Sequence, residues 1–121
     1  MEKALFVDHD TSLLFLYQTE LGEEGYPVIV AHDGKEALKK LEKEPPHVVV
    51  MDIRMPIMDG IEALPAMVGK KRQIPAILNT AYPQYKDNFM TWGAEEYIIK
   101  SSDLTELKKK IKEVLSRRRK R

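Results

Sequence analysis

The chain has no cysteine among its 121 residues, which removes disulfides, thiolate metal centres and cysteine nucleophiles at once. It also lacks any apolar run near the ~20 residues that a membrane-spanning helix needs. Its N-terminus enters a strand-like segment without the basic, apolar and small-residue pattern of a secretory signal. A cytoplasmic protein with no membrane partner is the expectation. Repeats and low-complexity segments are missing too. The length suits one domain with a full core and excludes two. We place that domain at 1–117, with 118–121 as a basic tail or the start of a linker.

What is present is a charge asymmetry beneath a net charge of +1. Residues 108–121 hold nine Lys/Arg against the single acid Glu113, so the first 107 residues carry 11 basic and 18 acidic side chains, a net of −7. An acidic body with a basic end implies two jobs, or a body and a linker.

The apolar pattern switches repeatedly between strand and helix periods. Ala4-Leu5-Phe6-Val7 reads as a buried strand ending at Asp8. A helix follows with Leu14, Tyr17 and Leu21 on one stripe, stopped across Gly22 to Gly25. Val28 to Ala31 is a second strand. Asp33 with Glu36 three residues on has the form of a capping box, opening a helix whose core face includes Ala37, Leu38 and Leu41. Pro45-Pro46 leads into Val48-Val49-Val50-Met51, the β-branched run of a central parallel strand. A third helix starts near Asp59 and contains Pro65, so a kink or a shortened helix is expected there. Pro75 to Asn79 is a fourth strand, followed by a weakly patterned helix around Gln84 to Trp92. Glu96 to Ile99 is a fifth strand. Asp103 with Glu106 caps a last helix carrying Leu104, Leu107, Ile111 and Leu115.

Five strand–helix alternations imply right-handed crossovers and a parallel sheet covered on both faces. The expected fold is a three-layer α/β/α sandwich, flavodoxin-like, with five parallel strands in the order 2-1-3-4-5. In such sheets ligands bind beyond the carboxyl ends of the strands, at the switch point. The residues that fall there are Asp8, His9 and Asp10 after the first strand, Asp52 after the third, Thr80 after the fourth and Lys100 after the fifth. Clustered carboxylates need a cation, and an oxygen-rich site with open positions suits Mg²⁺. With a lysine and a hydroxyl beside them, they form a phosphoryl-transfer site around a carboxylate nucleophile. Each residue alone has an ordinary alternative. Asp10 or Thr11 is also a helix N-cap candidate, Thr80 a turn hydroxyl, and Lys100 a solvated charge. His32 and His47 read as surface or loop residues, and His9 is open between surface and site.

Val50-Met51-Asp52-Ile53-Arg54-Met55-Pro56-Ile57-Met58-Asp59-Gly60 resembles the phosphoacceptor signature of the receiver domains of bacterial two-component response regulators. Thr80-Ala81 and Gly93-Ala94-Glu95-Glu96-Tyr97-Ile98-Ile99-Lys100 match that family too, and the likeness covers essentially the whole chain. The resemblance implies that Asp52 accepts a phosphoryl group from a sensor histidine kinase or phosphotransfer protein. Asp8 then belongs to the acidic metal pocket with Asp52, and Arg54 supplies a backbone carbonyl. Lys100 and Thr80 stabilise the phosphoryl oxygens, Thr80 and Tyr97 form a switch pair, and Arg54 and Tyr82 flank the entrance and set the phosphoryl lifetime. The implied cofactor is Mg²⁺, with Mn²⁺ as an alternative. The implied partners are the kinase, a second copy of the domain, and a downstream target or an output domain outside this sequence. The chain would catalyse its own phosphorylation and dephosphorylation only, and is otherwise no enzyme.

Two positions depart from the family pattern. His9 stands where the family usually has a second acid that ligates Mg²⁺, and imidazole suits borderline metals better. This weakens Mg²⁺ binding, unless Asp10 compensates or a transition metal substitutes. Ser101 follows Lys100 where the family usually has a cis proline, and a non-proline cis bond costs about 3–4 kcal/mol, so a trans bond is expected.

Three rival readings stay open. One is a degenerate receiver that acts as a binding module without phosphorylation. Another follows from Asp8-His9-Asp10-Thr11, which also resembles the nucleophile motif of haloacid-dehalogenase-type phosphatases, with Asp8 attacking and Asp10 as acid/base. The third is nucleic-acid binding through Arg117-Arg118-Arg119-Lys120-Arg121, since basic runs bind phosphates non-specifically. No aromatic or helix-turn-helix feature supports it, and a solvated helix end is the expectation. Trp92 reads either as core or as an anchor on the surface of the fourth and fifth helices and fifth strand.

Overall fold

The computed structural model describes residues 2–68 and 73–119. Strands β1 (Ala4–Val7), β2 (Val28–Ala31), β3 (Val48–Met51), β4 (Ala76–Thr80) and β5 (Glu96–Ile99) alternate with helices α1 (Thr11–Glu23), α2 (Gly34–Lys43), α3 (Gly60–Val68), α4 (Lys86–Thr91) and α5 (Thr105–Arg119). The strands form one sheet in the order 2-1-3-4-5, and every pairing is parallel. This is the expected architecture.

Side-chain alternation along the strands sorts the core into two layers. Leu5, Val7, Val49, Met51 and Leu78 face α2, α3 and α4, packing with Ala37, Leu41, Leu64 and Phe89. Ala4, Phe6, Val48, Val50 and Ile77 face α1 and α5, packing with Leu14, Leu21, Leu107 and Ile111. Strands β1, β3 and β4 are buried along their whole length, which is why they read as apolar runs.

Helix starts follow from short polar side chains. Asp10 accepts from the backbone N–H groups of Ser12 and Leu13 at 2.9 and 3.2 Å, and Asp33 accepts from that of Glu36 at 2.8 Å. The reciprocal half of the second capping box is displaced by one residue, because Glu36 accepts from the N–H of His32 at 2.7 Å. Asp103 accepts from the N–H and hydroxyl of Thr105 at 2.9 and 2.6 Å, so the turn before α5 is held by Thr105 where Glu106 was expected. Helix α1 runs through Gly22 to Glu23, and the chain turns at Gly25 with φ 94°. Helix α3 is short, at nine residues, and continues three residues past Pro65. The weak fourth helix divides into a 3₁₀ turn at Pro83–Tyr85 and the six-residue α4.

The boundary placed at 117 falls inside α5, and Lys120 and Arg121 lie outside the described residues. The arginines before them fold back onto the acidic body. Arg117 pairs with Glu96 at 3.0 Å and Arg118 with Glu95 at 3.2 Å, while Arg119 pairs with Glu2. The charge asymmetry of the sequence is thus partly neutralised within the molecule. Among the described residues no helix is long and apolar enough to cross a membrane.

Candidate functional site

The ladder of β3 with β1 and that of β1 with β2 each extend one residue past the strands and so build the site. Asp52 donates its backbone N–H to the carbonyl of Val7 at 3.0 Å, and Asp8 donates to that of Ala31 at 3.1 Å. The two carboxylates therefore meet at the carboxyl edge beside the switch point. Asp8 is 2% and Asp52 5% exposed, so each requires hydrogen bonds and a counter-charge. Asp8 Oδ1 accepts from the N–H of Asp10 at 2.9 Å, and Asp52 Oδ1 from that of Ile53 at 2.7 Å. Lys100, at the end of β5, reaches both: its Nζ lies 2.7 Å from Asp8 Oδ2 and 3.0 Å from Asp52 Oδ2. Burial works against the ammonium charge, but hydrogen bonds to the two carboxylates and their negative charge prevail, raising the Lys100 pKa above its ordinary value. One ammonium against two carboxylates leaves the pocket at −1, an arrangement that favours a further cation.

His9 projects outward beside this pair. Its Nδ1 is 3.7 Å from Asp8 Oδ1, and donor atoms of Asp8, His9 and Asp52 lie within 4.8 Å of one another. Two carboxylates and an imidazole make a chemically sound donor set for a divalent cation. Asp10 is not brought into this group. It is exposed, and its Oδ1 caps α1, the N-cap alternative open in the sequence.

Thr80 is fully buried, and its Oγ1 accepts from the N–H of Tyr82 at 3.3 Å. Tyr97, half-buried, donates its hydroxyl to the carbonyl of Tyr82, with its ring 6.2 Å from that of Phe89. Burial raises its pKa. Arg54, two residues beyond Asp52, places its guanidinium 5.0 Å over the Tyr82 ring and donates to the Tyr85 hydroxyl at 3.4 Å. Arg54 and Tyr82 border, with His9, Met55, Pro56 and Asp59, a depression of about 380 Å³ at the edge of the site. The peptide bond between Lys100 and Ser101 is trans, as are all described bonds. Trp92 is 43% exposed, resting edge-on against Phe89 at 5.4 Å, and so is not a core residue.

Several supporting residues escaped the sequence reading. The β3–α3 loop closes through the N–H of Gly60 on the carbonyl of Ile53 at 2.7 Å. A Cβ at Gly60 would stand 2.9 Å from the carbonyl oxygen of Asp52. Asn79 donates to the Tyr17 hydroxyl at 3.0 Å, a buried bond joining β4 to α1. An amide in an otherwise apolar strand was the available signal, since buried polar groups require partners. Tyr85 carried no signal beyond its spacing from Tyr82.

The response regulator receiver domain family matches residues 4–112. The alkaline phosphatase synthesis transcriptional regulatory protein PhoP of Bacillus subtilis is 36% identical over 118 residues, covering 96% of this chain and 49% of that protein. The transcriptional regulatory protein TrcR of Mycobacterium tuberculosis is 36% identical over 95% of this chain and 46% of its own. The chain thus spans about half the length of the curated relatives it matches. Among solved structures, the response regulator TrrA of Thermotoga maritima, in complex with Mg(2+)-BeF, is similar at TM-score 0.88 and 38% identity, covering 94% of this chain and 99% of that one. A response regulator receiver domain of Methanospirillum hungatei reaches TM-score 0.92 at 32% identity, covering 99% and 98%. Sheet order, buried acid pair, bridging lysine and these likenesses agree, and the chain belongs to the response regulator receiver domains of two-component signalling.

Proposed function

We propose that Asp52 is the phosphoacceptor of a phosphorelay, taking a phosphoryl group from a phosphohistidine of a sensor kinase or phosphotransfer protein. The observation that carries this reading is Lys100 bridging two buried carboxylates, 2.7 Å from Asp8 and 3.0 Å from Asp52. In the transfer an oxygen of Asp52 attacks phosphorus, the P–N bond breaks, and the imidazole leaves with its electron pair. Lys100 and the Thr80 hydroxyl face the phosphoryl oxygens, and a divalent cation, Mg²⁺ or Mn²⁺, supplies charge neutralisation when bound. Asp8, Asp52 and the Arg54 carbonyl would hold it. The domain acts catalytically only on its own aspartyl phosphate.

The added charge and acceptors bias a two-state element. Here that element is Thr80 with Tyr97, tied together through Tyr82, and its readout is the α4, β5 and α5 surface. That surface would meet a second copy, a downstream target or an output domain of a longer protein. A cytoplasmic location goes with a kinase partner. Against the phosphatase alternative stands Asp10 capping α1, and against nucleic-acid binding by this domain stand the pairs of Arg117, Arg118 and Arg119 with Glu96, Glu95 and Glu2.

Incubation with a small acyl phosphate and Mg²⁺ or Mn²⁺, followed by intact mass, tests the reading. Wild type gains one phosphoryl group and Asp52→Asn gains none. An unmodified wild type under both metals would establish the phosphorylation-independent binding module instead.

A further inference from the structure

We propose that the cation seat beside Asp52 selects a borderline first-row divalent metal over Mg²⁺, with His9 as its nitrogen ligand. The inference deepens the divalent-cation part of the proposed function and rests on that part. Its first support is geometric. Donor atoms of Asp8, His9 and Asp52 fall within 4.8 Å of one another, and Asp8 Oδ1 is 3.7 Å from His9 Nδ1. Around an ion with bonds of about 2.1 Å, neighbouring ligands stand about 3 Å apart and opposed ones about 4.2 Å. Shifts of about an ångström or less would bring the three donors onto one ion, and the exposed His9 side chain is free to make them.

The second support is how the three histidines of the chain are engaged. His32 Nδ1 lies 3.0 Å from Glu36 Oε1, and His47 Nδ1 accepts from the N–H of Lys3 at 2.9 Å, so each has a structural partner. Among the described residues, His9 has only its approach to Asp8. Its imidazole stands at the rim of a pocket that holds two buried carboxylates and carries a net charge of −1.

The third support is the chemistry of the donors. Mg²⁺ is held by charge and by oxygen, keeps several of its waters, and gains little from an imidazole. Here it would meet two carboxylates already engaged by Lys100 at 2.7 and 3.0 Å. A transition ion meets the same carboxylates and adds a metal–nitrogen bond, whose strength rises from Mn²⁺ through Co²⁺ to Ni²⁺. The imidazole thus costs the hard ion a charged ligand and gives the softer ones a better one.

The test uses the untagged chain carrying His32→Gln and His47→Gln, so that His9 is the sole imidazole, and no phosphodonor is present. Calorimetric titration with Mg²⁺, Mn²⁺ and Co²⁺ should show Co²⁺ binding at least about tenfold more tightly than Mg²⁺, with Mn²⁺ between them. Pulsed electron paramagnetic resonance of the Mn²⁺ complex should show ¹⁴N modulation from the imidazole. His9→Asp should abolish that modulation, tighten Mg²⁺ and lower the Co²⁺/Mg²⁺ ratio about tenfold, while Asp52→Asn should weaken all three metals. The proposal is overturned by Mg²⁺ affinity within about twofold of Co²⁺, by ¹⁴N modulation that persists in His9→Ala, or by Asp52→Asn leaving the affinities unchanged. These readouts need no phosphorylation, so the metal proposal and the phosphoacceptor reading fail separately.

Discussion

Lys100→Met is the most direct test of how the site is held together. Among the described residues its ammonium is the one cation that reaches both Asp8 and Asp52, at 2.7 and 3.0 Å, and its side chain is only 20% exposed. Methionine preserves the length of the stem and removes the charge, leaving two carboxylates that are 2% and 5% exposed. Breaking a buried ion pair in this way costs about 3–5 kcal/mol. We take the lower end, about 3 kcal/mol, because the Lys100 side chain is itself 20% exposed at the pocket edge. For a domain of this size that is a fall of about 10 °C in Tm. Urea denaturation followed by circular dichroism, at neutral pH in chelator, measures it. The same experiment on Lys100→Met with Asp8→Asn carries the diagnostic outcome. With one acid made neutral the repulsion is gone, and at least about 1 kcal/mol should return. A loss below about 1 kcal/mol for Lys100→Met, or no recovery in the double variant, would refute the account of the site as a charge triad.

Further outcomes follow from neighbouring contacts. Tyr82→Ala opens the side of the site where Arg54 stacks at 5.0 Å, so loss of the phosphoryl group, followed by mass, should quicken by up to roughly tenfold, which is about 1.4 kcal/mol of barrier; an unchanged rate removes Tyr82 as the obstacle to water. Because the folded pKa of Lys100 is raised, its contribution is fully present below the ordinary lysine value of about 10.4 and is lost as pH climbs through the higher folded value. The stability difference between wild type and Lys100→Met should therefore be constant across neutral pH and shrink only in strong alkali. Tyr17→Phe strands the Asn79 amide that donates to it at 3.0 Å, at a cost of about 1–3 kcal/mol in denaturation, and adding Asn79→Leu should return most of it. Gly60→Ala drives a Cβ to 2.9 Å from the Asp52 carbonyl oxygen and 3.0 Å from Ile53 Cα, both backbone, so about 1–3 kcal/mol should be lost together with phosphoryl uptake by mass.

The fold was legible because strand ends and chemistry coincide. Val48 to Met51 is β-branched and buried along its whole length, so period alone set it as a central strand, and the polar residue ending each run marked the carboxyl edge. That Asp8, Asp52 and Lys100 come together at one edge was readable for that reason. Contacts that depend on where a loop turns back were not readable. Nothing in the spacing of Asp33 and Glu36 says that Glu36 takes the N–H of His32, and nothing in Asp10 decides between a cap and a ligand until α1 is placed over it. Arg54 meeting Tyr85 across 31 residues is likewise a product of the assembled edge.

The hydrogen bonds around Tyr82 link the two members of the proposed switch pair. The N–H of Tyr82 is given to the Thr80 hydroxyl at 3.3 Å, and its carbonyl is taken by Tyr97, so one peptide segment carries both members of the proposed switch pair. The bond to Thr80 is long for an N–H···O contact and is the weak one. A phosphoryl group on Asp52 offers Thr80 charged acceptor oxygens, and charge-assisted hydrogen bonds are about twice as strong as neutral ones. The hydroxyl already accepts from Tyr82, so its proton remains available to donate. Donation toward a phosphoryl oxygen would draw the end of β4 toward Asp52 and carry Tyr82, its stacked Arg54 and the Tyr97 hydroxyl with it. The half-buried ring of Tyr97, packed on Phe89 of α4, would then carry a change of charge at β3 to the β5 and α4 surface through contacts already in place.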